Sequence, residues 1–394
     1  MFFRHYISTD FYSVPIVTTT KQETSLAKDS AVITESFKVE KEEKVNKKLR
    51  WAIVGCGGIS QTHMGAIKKI PQIEVVGCCD IKPDRLKVMK DQWGIEAGYE
   101  KWDDLLREIK PDVIDVCTPN GVHCPAVVAA VEAGCHAITE KPMAMNPAEC
   151  QQMIDAAKAN DRKLAVGFQY RYHPVCEMFT RAKAAGDIGD IMFVKCQALR
   201  RRGIPNWGVF GQKELQGGGP MIDIGVHIIE SAHYCIGEPR PIAASGNIWT
   251  YIGDKPSEVE SMWPGWDWKT FTVEDLAVGQ VRFDNGCIMQ IESSFSAHID
   301  HDIWNFTIMG TKGGFNFDTA TLFTDHAGTM INAKAGYLPN PGGDSLFVAK
   351  LKNFANGILE GTPLRAPGES GLAVQKIIDG VYRSAAAGKE VTID

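Results

Sequence analysis

Trp51-Ala-Ile-Val-Gly-Cys-Gly-Gly-Ile-Ser60 is the stretch around which the rest of the chain is organised. Trp51 to Val54 read as a short buried strand, since an unbroken apolar run leaves no face for solvent. Gly55 and Gly57 follow, and Ser60 stands where the third glycine of a G-x-G-x-x-G turn would be. Beyond the turn, Ile59, His63, Ala66, Ile67 and Ile70 fall on one side of a helix. Strand, glycine turn and helix start together make an anion site. Residues without a Cβ let the backbone approach a pyrophosphate, and the first helical turn offers unpaired N–H groups. Ile73 to Cys79 reads as a second buried strand ending in Asp80, about 20 residues past the turn, where a carboxylate takes the ribose of a bound dinucleotide. Gly55, Gly57, Gly58, Ile59 and Asp80 are therefore expected to bind the cofactor. Asp80 favours NAD, because its charge repels a 2′-phosphate. Lys82 and Arg85 nearby soften that choice and keep NADP as the alternative.

A chain of 394 residues is too long for one ordinary core, so two domains are expected. The net charge of −6 gives no reason to expect nucleic acid or an anionic membrane as partner. There is no apolar run long enough to span a bilayer. Of the 11 cysteines, Cys78, Cys79, Cys117 and Cys135 sit in or beside apolar strand-like runs, and no C-x-x-C pair occurs. These behave as small buried hydrophobes, which points to a reducing, cytoplasmic setting. Residues 1–48 differ from the rest: rich in Thr, Ser, Lys and Glu, free of glycine, and running into the charged segment Lys38 to Arg50. A flexible extension or partner-strapping arm is the expectation there.

From Leu49 onward short apolar runs alternate with helical stretches, the pattern of a doubly wound parallel sheet. Strands are expected at Val113–Cys117, His136–Thr139 and Leu164–Phe168. Helices are expected at Asp84–Trp93, Trp102–Ile109, Ala126–Ala133 and after Asn146, where Asn146, Pro147 and Glu149 spell a capping box. Ligands of such sheets bind beyond the carboxyl ends of the strands. That rule gathers Thr118 to His123, Glu140 to Pro142 and Gln169 to His173 around one crevice, with Thr118 counted among the cofactor positions.

After about residue 175 the character changes. The fold class is α/β: a Rossmann domain over 49–172, then an α+β domain over 173–394 with a large open, mostly antiparallel sheet. Asn285-Gly286 between Leu276–Phe283 and Cys287–Phe295 is a type I′ hairpin signal. Closing helices at Ser345–Leu359 and Glu369–Ala387 are expected to return to the first domain. Gln216-Gly-Gly-Gly-Pro220 leads into a helix on which Asp223 and His227, four apart, share a face. The alternative for that pair is a surface contact without chemistry. A first-turn carboxylate is favoured by the helix dipole, and a histidine near its ordinary pKa suits a general base. The triple glycine is expected to let the backbone approach a ligand. Lys141, at a strand end and restricted by Pro142, is placed to steady a developing alkoxide. Trp263, Trp266 and Trp268 form either a sugar-stacking loop or a surface loop.

Gly55-Cys-Gly-Gly-Ile-Ser60, Thr118-Pro-Asn-Gly-Val-His123, Glu140-Lys-Pro142 and Gly217 to His227 together resemble the Gfo/Idh/MocA oxidoreductases, from about Leu49 to the C-terminus. The resemblance implies a nicotinamide-dependent enzyme acting on a sugar or polyol hydroxyl. It implies Lys141, Asp223 and His227 as the catalytic set, with Asn120, His123, Glu140 and Arg171 near the cofactor. It also implies a cis bond before Pro142 and a homodimer or homotetramer built through the open sheet; no metal site is expected. Arg200 to Arg202 and Trp207 depart from the common pattern and are taken as a subgroup feature near substrate. In the expected mechanism His227 takes the hydroxyl proton, Lys141 bonds the oxygen, and Asp223 holds the histidine or a neighbouring hydroxyl. Two alternatives use the same fold: an NAD-retaining enzyme that cleaves glycosides, and a dinucleotide-binding regulator without turnover.

Overall fold

In the computed structural model, which describes residues 48–261, 263, 265–339 and 345–394, the organising stretch is strand β1 (Leu49–Val54) running into helix α1 (Gly58–Ile67). Apart from Lys48, the expected extension over residues 1–48 lies outside the described residues. The chain continues through β2 (Ile73–Cys79), α2 (Pro83–Trp93), β3 (Gly98–Tyr99), α3 (Trp102–Ile109), β4 (Val113–Val116), α4 (His123–Glu132), β5 (His136–Thr139), α5 (Pro147–Ala159) and β6 (Leu164–Val166). These strands form one parallel sheet in the order β3-β2-β1-β4-β5-β6. The order reverses at β1, which pairs with β2 on one side and β4 on the other, so the switch point lies beside the glycine turn.

Local chemistry sets the boundaries. Helix α2 ends on Gly94 in the left-handed region (φ 71°), where a residue without Cβ is unstrained. Helix α3 stops at Lys110, just before Pro111. At α5 the Asn146 side chain accepts from Glu149 N–H at 3.0 Å. The return bond of the expected box is shifted by one residue: Glu149 accepts from Met145 N–H at 3.2 Å and from the Asn146 side-chain amide at 2.8 Å.

After α6 (Pro174–Ala184) the chain builds a second sheet from β7 (Ile191–Leu199), β8 (Pro241–Trp249), β9 (Leu276–Phe283), β10 (Ile288–Ser294), β11 (Ile303–Gly310), β12 (Gly313–Asn316), β13 (Thr321–His326), β14 (Thr329–Lys334) and β15 (Val391–Thr392). Its order is β14-β13-β12-β11-β7-β10-β9-β8-β15, antiparallel except where β7 and β10 run parallel. The β9–β10 turn is not type I′. Gly286 alone has positive φ (85°), and Gly286 N–H bonds Phe283 O at 3.0 Å. That is a type I turn closed by a glycine bulge, which needs one left-handed residue rather than two.

Helix α7 (Val226–Ile236) and the long helices α8 (Ser345–Glu360) and α9 (Gly368–Ala387) complete the described chain. Leu351, Phe354 and Ala355 of α8 enter the core beside β1, where Phe354 meets Trp51 edge-on at 6.0 Å between ring centres. A segment from the far end of the sequence thus closes one face of the first sheet. Among the described residues no helix is long and apolar enough to cross a membrane.

Candidate active site

Gly55 sits at the end of β1 with φ 93°, and a Cβ there would lie 2.6 Å from Cys117 O. Only glycine lets the turn pass this close to the end of β4. Gly58 has open space where a Cβ would stand, and Gly57, the N-cap of α1, offers no side chain to the helix N-terminus. Ile59 lies half-buried in the first turn. Asp80 accepts from Cys56 N–H and from Lys82 N–H, each at 2.8 Å, and Arg85 lies 3.4 Å from it. The Thr118 hydroxyl is buried without a hydrogen-bond partner. Uncovered helix N–H groups, a turn held open by glycine, an acid at the end of β2 and an unspent hydroxyl fit a dinucleotide.

The next two strand ends turn inward more than the sequence led one to expect. Asn120 donates to Gln216 O at 2.9 Å, joining the β4 loop to the glycine-rich segment. His123 is fully buried, with its ring nitrogens 2.9 Å from Pro142 O and 3.0 Å from Thr118 O. Burial lowers its pKa, and a neutral ring donates to only one of these two carbonyls; it sits between the two loops, buried away from the crevice. The Glu140 carboxylate also points beneath the crevice, to His63 (3.0 Å) and Lys350. Arg171 is the plainest correction to the expected cofactor set. It is fully buried, donating to Glu230 at 2.9 Å and Arg365 O at 2.7 Å, with Glu238 3.0 Å away. Its guanidinium is held in these internal pairs, sealed from solvent.

Lys141, by contrast, is only part-buried. Its bond to Pro142 is cis. Its ammonium donates to the Asp223 carboxylate at 3.0 Å and to Asp223 O at 2.9 Å. Asp223 therefore holds the lysine, not the histidine. The reason is local: Met221–Gly225 is a π-helical turn ahead of α7, so the regular four-residue spacing expected for Asp223 and His227 does not apply. His227 packs against Tyr170 and Trp304, with ring centres 5.4 and 5.9 Å away. Its Nδ1 is buried without a partner, as are Trp304 Nε1 and Gln169 Oε1. Burial first, and then the Lys141 charge, hold the His227 pKa well below the usual imidazole value. The ring is neutral and able to accept a proton.

The triple glycine serves packing. A Cβ on Gly218 would collide with the Tyr382 hydroxyl, and one on Gly219 with Glu274 O. Glu274 in turn accepts from Gly219 N–H at 2.9 Å, from Met221 N–H at 3.3 Å and from Tyr382 at 2.7 Å, anchoring the π-helical turn. Of the arginine triplet, Arg201 and Arg202 brace the segment from Ser296 to Asp302. Arg200 lies over Trp263, 4.8 Å from the ring centre, with Asp223 among its charged neighbours. Trp263 stacks on Trp207 at 5.3 Å, while Trp266 donates to Gly253 O at 2.7 Å and Trp268 is exposed.

Asp115, Lys350 and Trp304 were not singled out from sequence, His63 was read only as part of a helix face, and Tyr170 only as part of the Gln169 to His173 turn. Two of them carried a signal: His63 and Lys350 are polar residues on otherwise apolar helix faces. His63, Asp115 and Cys117 lie within 4.8 Å of one another, near enough to hold a metal. They do not fit one, because both ring nitrogens of His63 are engaged and the Lys350 ammonium already supplies the cation.

Comparison with known proteins bears on the same segments. A family described as "Oxidoreductase family, NAD-binding Rossmann fold" matches residues 49–168. A second, "GFO/IDH/MocA C-terminal domain", matches residues 179–316. The chain is 32% identical to the D-glucoside 3-dehydrogenase of Escherichia coli (strain K12), over 88% of this chain and 97% of that protein. It is 25% identical to the myo-inositol 2-dehydrogenase of Thermotoga maritima, over 82% of this chain and 92% of that protein. Among solved structures, levoglucosan dehydrogenase in complex with NADH and levoglucosan superposes with a TM-score of 0.75 at 25% identity, covering 88% of this chain and all (100%) of that one.

Proposed function

This chain belongs to the Gfo/Idh/MocA oxidoreductase family, and from that premise we propose that it transfers a hydride between NAD and a secondary CH–OH group of a sugar, with a pyranoside the favoured substrate. One observation carries the reading. The Lys141 ammonium is pinned by Asp223, and its charge acts on a neutral His227 whose Nδ1 is unspent. NAD, held by Gly55 to Ile59 and Asp80, supplies the hydride acceptor when bound. The protein's own residues do the rest. Lys141 bonds the reacting hydroxyl oxygen and stabilises the charge that develops on it. His227 removes the hydroxyl proton, and its depressed pKa keeps it free to do so. Asp223 keeps the ammonium aimed. The D-glucoside relative and the levoglucosan complex support a pyranose ring as the group that fills the site.

A panel of methyl glucosides, free hexoses, inositols and anhydro-sugars, followed by NADH absorbance, tests this reading. NADH formation with a pyranoside is expected. If no carbohydrate in the panel reduces NAD, and none is cleaved without NADH release, the assignment fails.

The outer face of the second sheet carries the cross-strand row Phe323, Met309, Phe193 and Ile288, with Met309 half-exposed. An apolar row on an open sheet fits a second copy of the chain. Mass photometry of the purified protein should show a dimer or tetramer that Met309→Lys dissociates.

A further inference from the structure

Beneath Lys141 lies a buried network whose groups come from four distant parts of the chain. His63 of α1 sits between two carboxylates, with Nδ1 2.7 Å from Asp115 and Nε2 3.0 Å from Glu140. The Asp115 carboxylate also accepts from Trp51 Nε1 at 3.3 Å and from the Cys117 thiol at 3.6 Å. Glu140 Oε1 further accepts from the Lys350 ammonium, and Oε2 accepts from Lys141 N–H at 3.1 Å. An ionised carboxylate is acceptor-only, so both ring nitrogens of His63 must donate. The two cations and two anions then cancel, the condition under which such a group can stay buried.

We infer that His63, Asp115 and Lys350 are positioning residues, which hold the Glu140 carboxylate so that its second oxygen fixes the main chain of Lys141 and aims the ammonium at Asp223 and the reacting oxygen. This rests on the reading of Lys141 given above. A separate observation supports it. Gly167, at the end of β6, leaves room for the network: a Cβ there would lie 2.6 Å from Glu140 Oε1 and 3.1 Å from Lys350 Nζ. The charged and titratable groups around Glu140 are His63, Asp115, Cys117, Lys141 and Lys350, with His123 and His227 further off. The carboxylates outweigh burial at His63 and hold it above its usual pKa. Lys350 and His63 likewise outweigh burial at Glu140 and hold it well below the carboxylate range.

The test compares Lys350→Met, Lys350→Arg and His63→Gln with the wild-type protein. Lys350→Met should lower kcat on the order of tenfold to a hundredfold by misplacing Lys141, with the sugar KM changed less than about threefold. Without the ammonium, Glu140 takes up a proton more readily, so activity should acquire an acid limb that lies at higher pH than any the wild type shows. Lys350→Arg should restore the wild-type profile. Independently of turnover, ¹⁵N spectra of histidine-labelled protein without substrate should show one doubly protonated imidazole at pH 8, absent in His63→Gln. A folded Lys350→Met with the wild-type pH profile overturns the proposal. So do spectra in which every imidazole is neutral at pH 8; they decide the matter even if Lys350→Met does not fold. Full turnover in Lys141→Ala would instead sink the functional reading and leave the spectral signature intact.

Discussion

His63 is fully buried and His227 half-buried near the same lysine-bearing turn, and their surroundings give them opposite charge. His63, on the first helix, is clamped between Asp115 and Glu140, which raise its pKa. His227, on the helix after the π-helical turn, meets aromatic rings and the Lys141 ammonium, which with burial lower it. A paired histidine is structural and holds its proton. An unpaired one, kept neutral and with a nitrogen left over, is equipped to take a proton. The difference shows that the work of a histidine here is read from its neighbours, not from its place in a motif.

The largest expected effect separates the two by stability. His63→Ala leaves two buried carboxylates with one cation and should cost about 3–5 kcal/mol. His227→Ala strands no charge and should cost less than about 2 kcal/mol. Equal shifts in urea midpoint would break the contrast. Turnover should reverse the ranking for His227 and its partner: His227→Ala and Lys141→Ala should each lose about a hundredfold or more in kcat, measured with saturating NAD and sugar.

The pH dependence of stability comes next, and the two signs oppose. His227 is harder to protonate folded than unfolded, so its contribution is lost as pH falls below about 6.5. His63 is easier to protonate folded, so its contribution is full below about 6.5 and is lost as pH rises through its raised value. Each slope is at most about 1.4 kcal/mol per pH unit. Thermal melts across this range should show the acid-side loss reduced in His227→Ala, with His123 and the other histidines lowered by burial keeping the rest, and the alkaline-side loss reduced in His63→Gln. Unchanged slopes would refute the charge assignments. Last and smallest, Asp80→Ser is a control away from both imidazoles. It should improve NADPH binding relative to NADH by about tenfold, roughly the 1.4 kcal/mol of one repulsive contact, while leaving the melts of both histidine variants in the same order.

Much of the fold was legible because it is local. The run Trp51 to Val54, the glycines after it, the acid at 80 and the Asn146-Pro147 helix start all act through neighbours in sequence. Lys141 was legible for the same reason, since Pro142 and the strand end mark it. Arg171 misled because a charged residue leaving a strand reads the same whether it faces a crevice or is locked against Glu230, 59 positions away. Asp223 misled because four-residue spacing assumes a regular helix, and the π-helical turn shifts its side chain toward Lys141, 82 positions earlier. The triple glycine was read as room for a ligand when Tyr382 and Glu274 occupy that room.

What the sequence determined alone was the alternation of strand, turn and helix, the dinucleotide turn, and the residue types at the carboxyl ends of the strands. These follow from side-chain size, backbone freedom and periodicity within a few residues. Which of those residues are spent on internal pairs, and which are left to act, was decided by packing. His63 and Glu140 lie 77 positions apart and Glu140 and Lys350 lie 210 apart, and only burial in a common low-dielectric core makes their charges depend on one another.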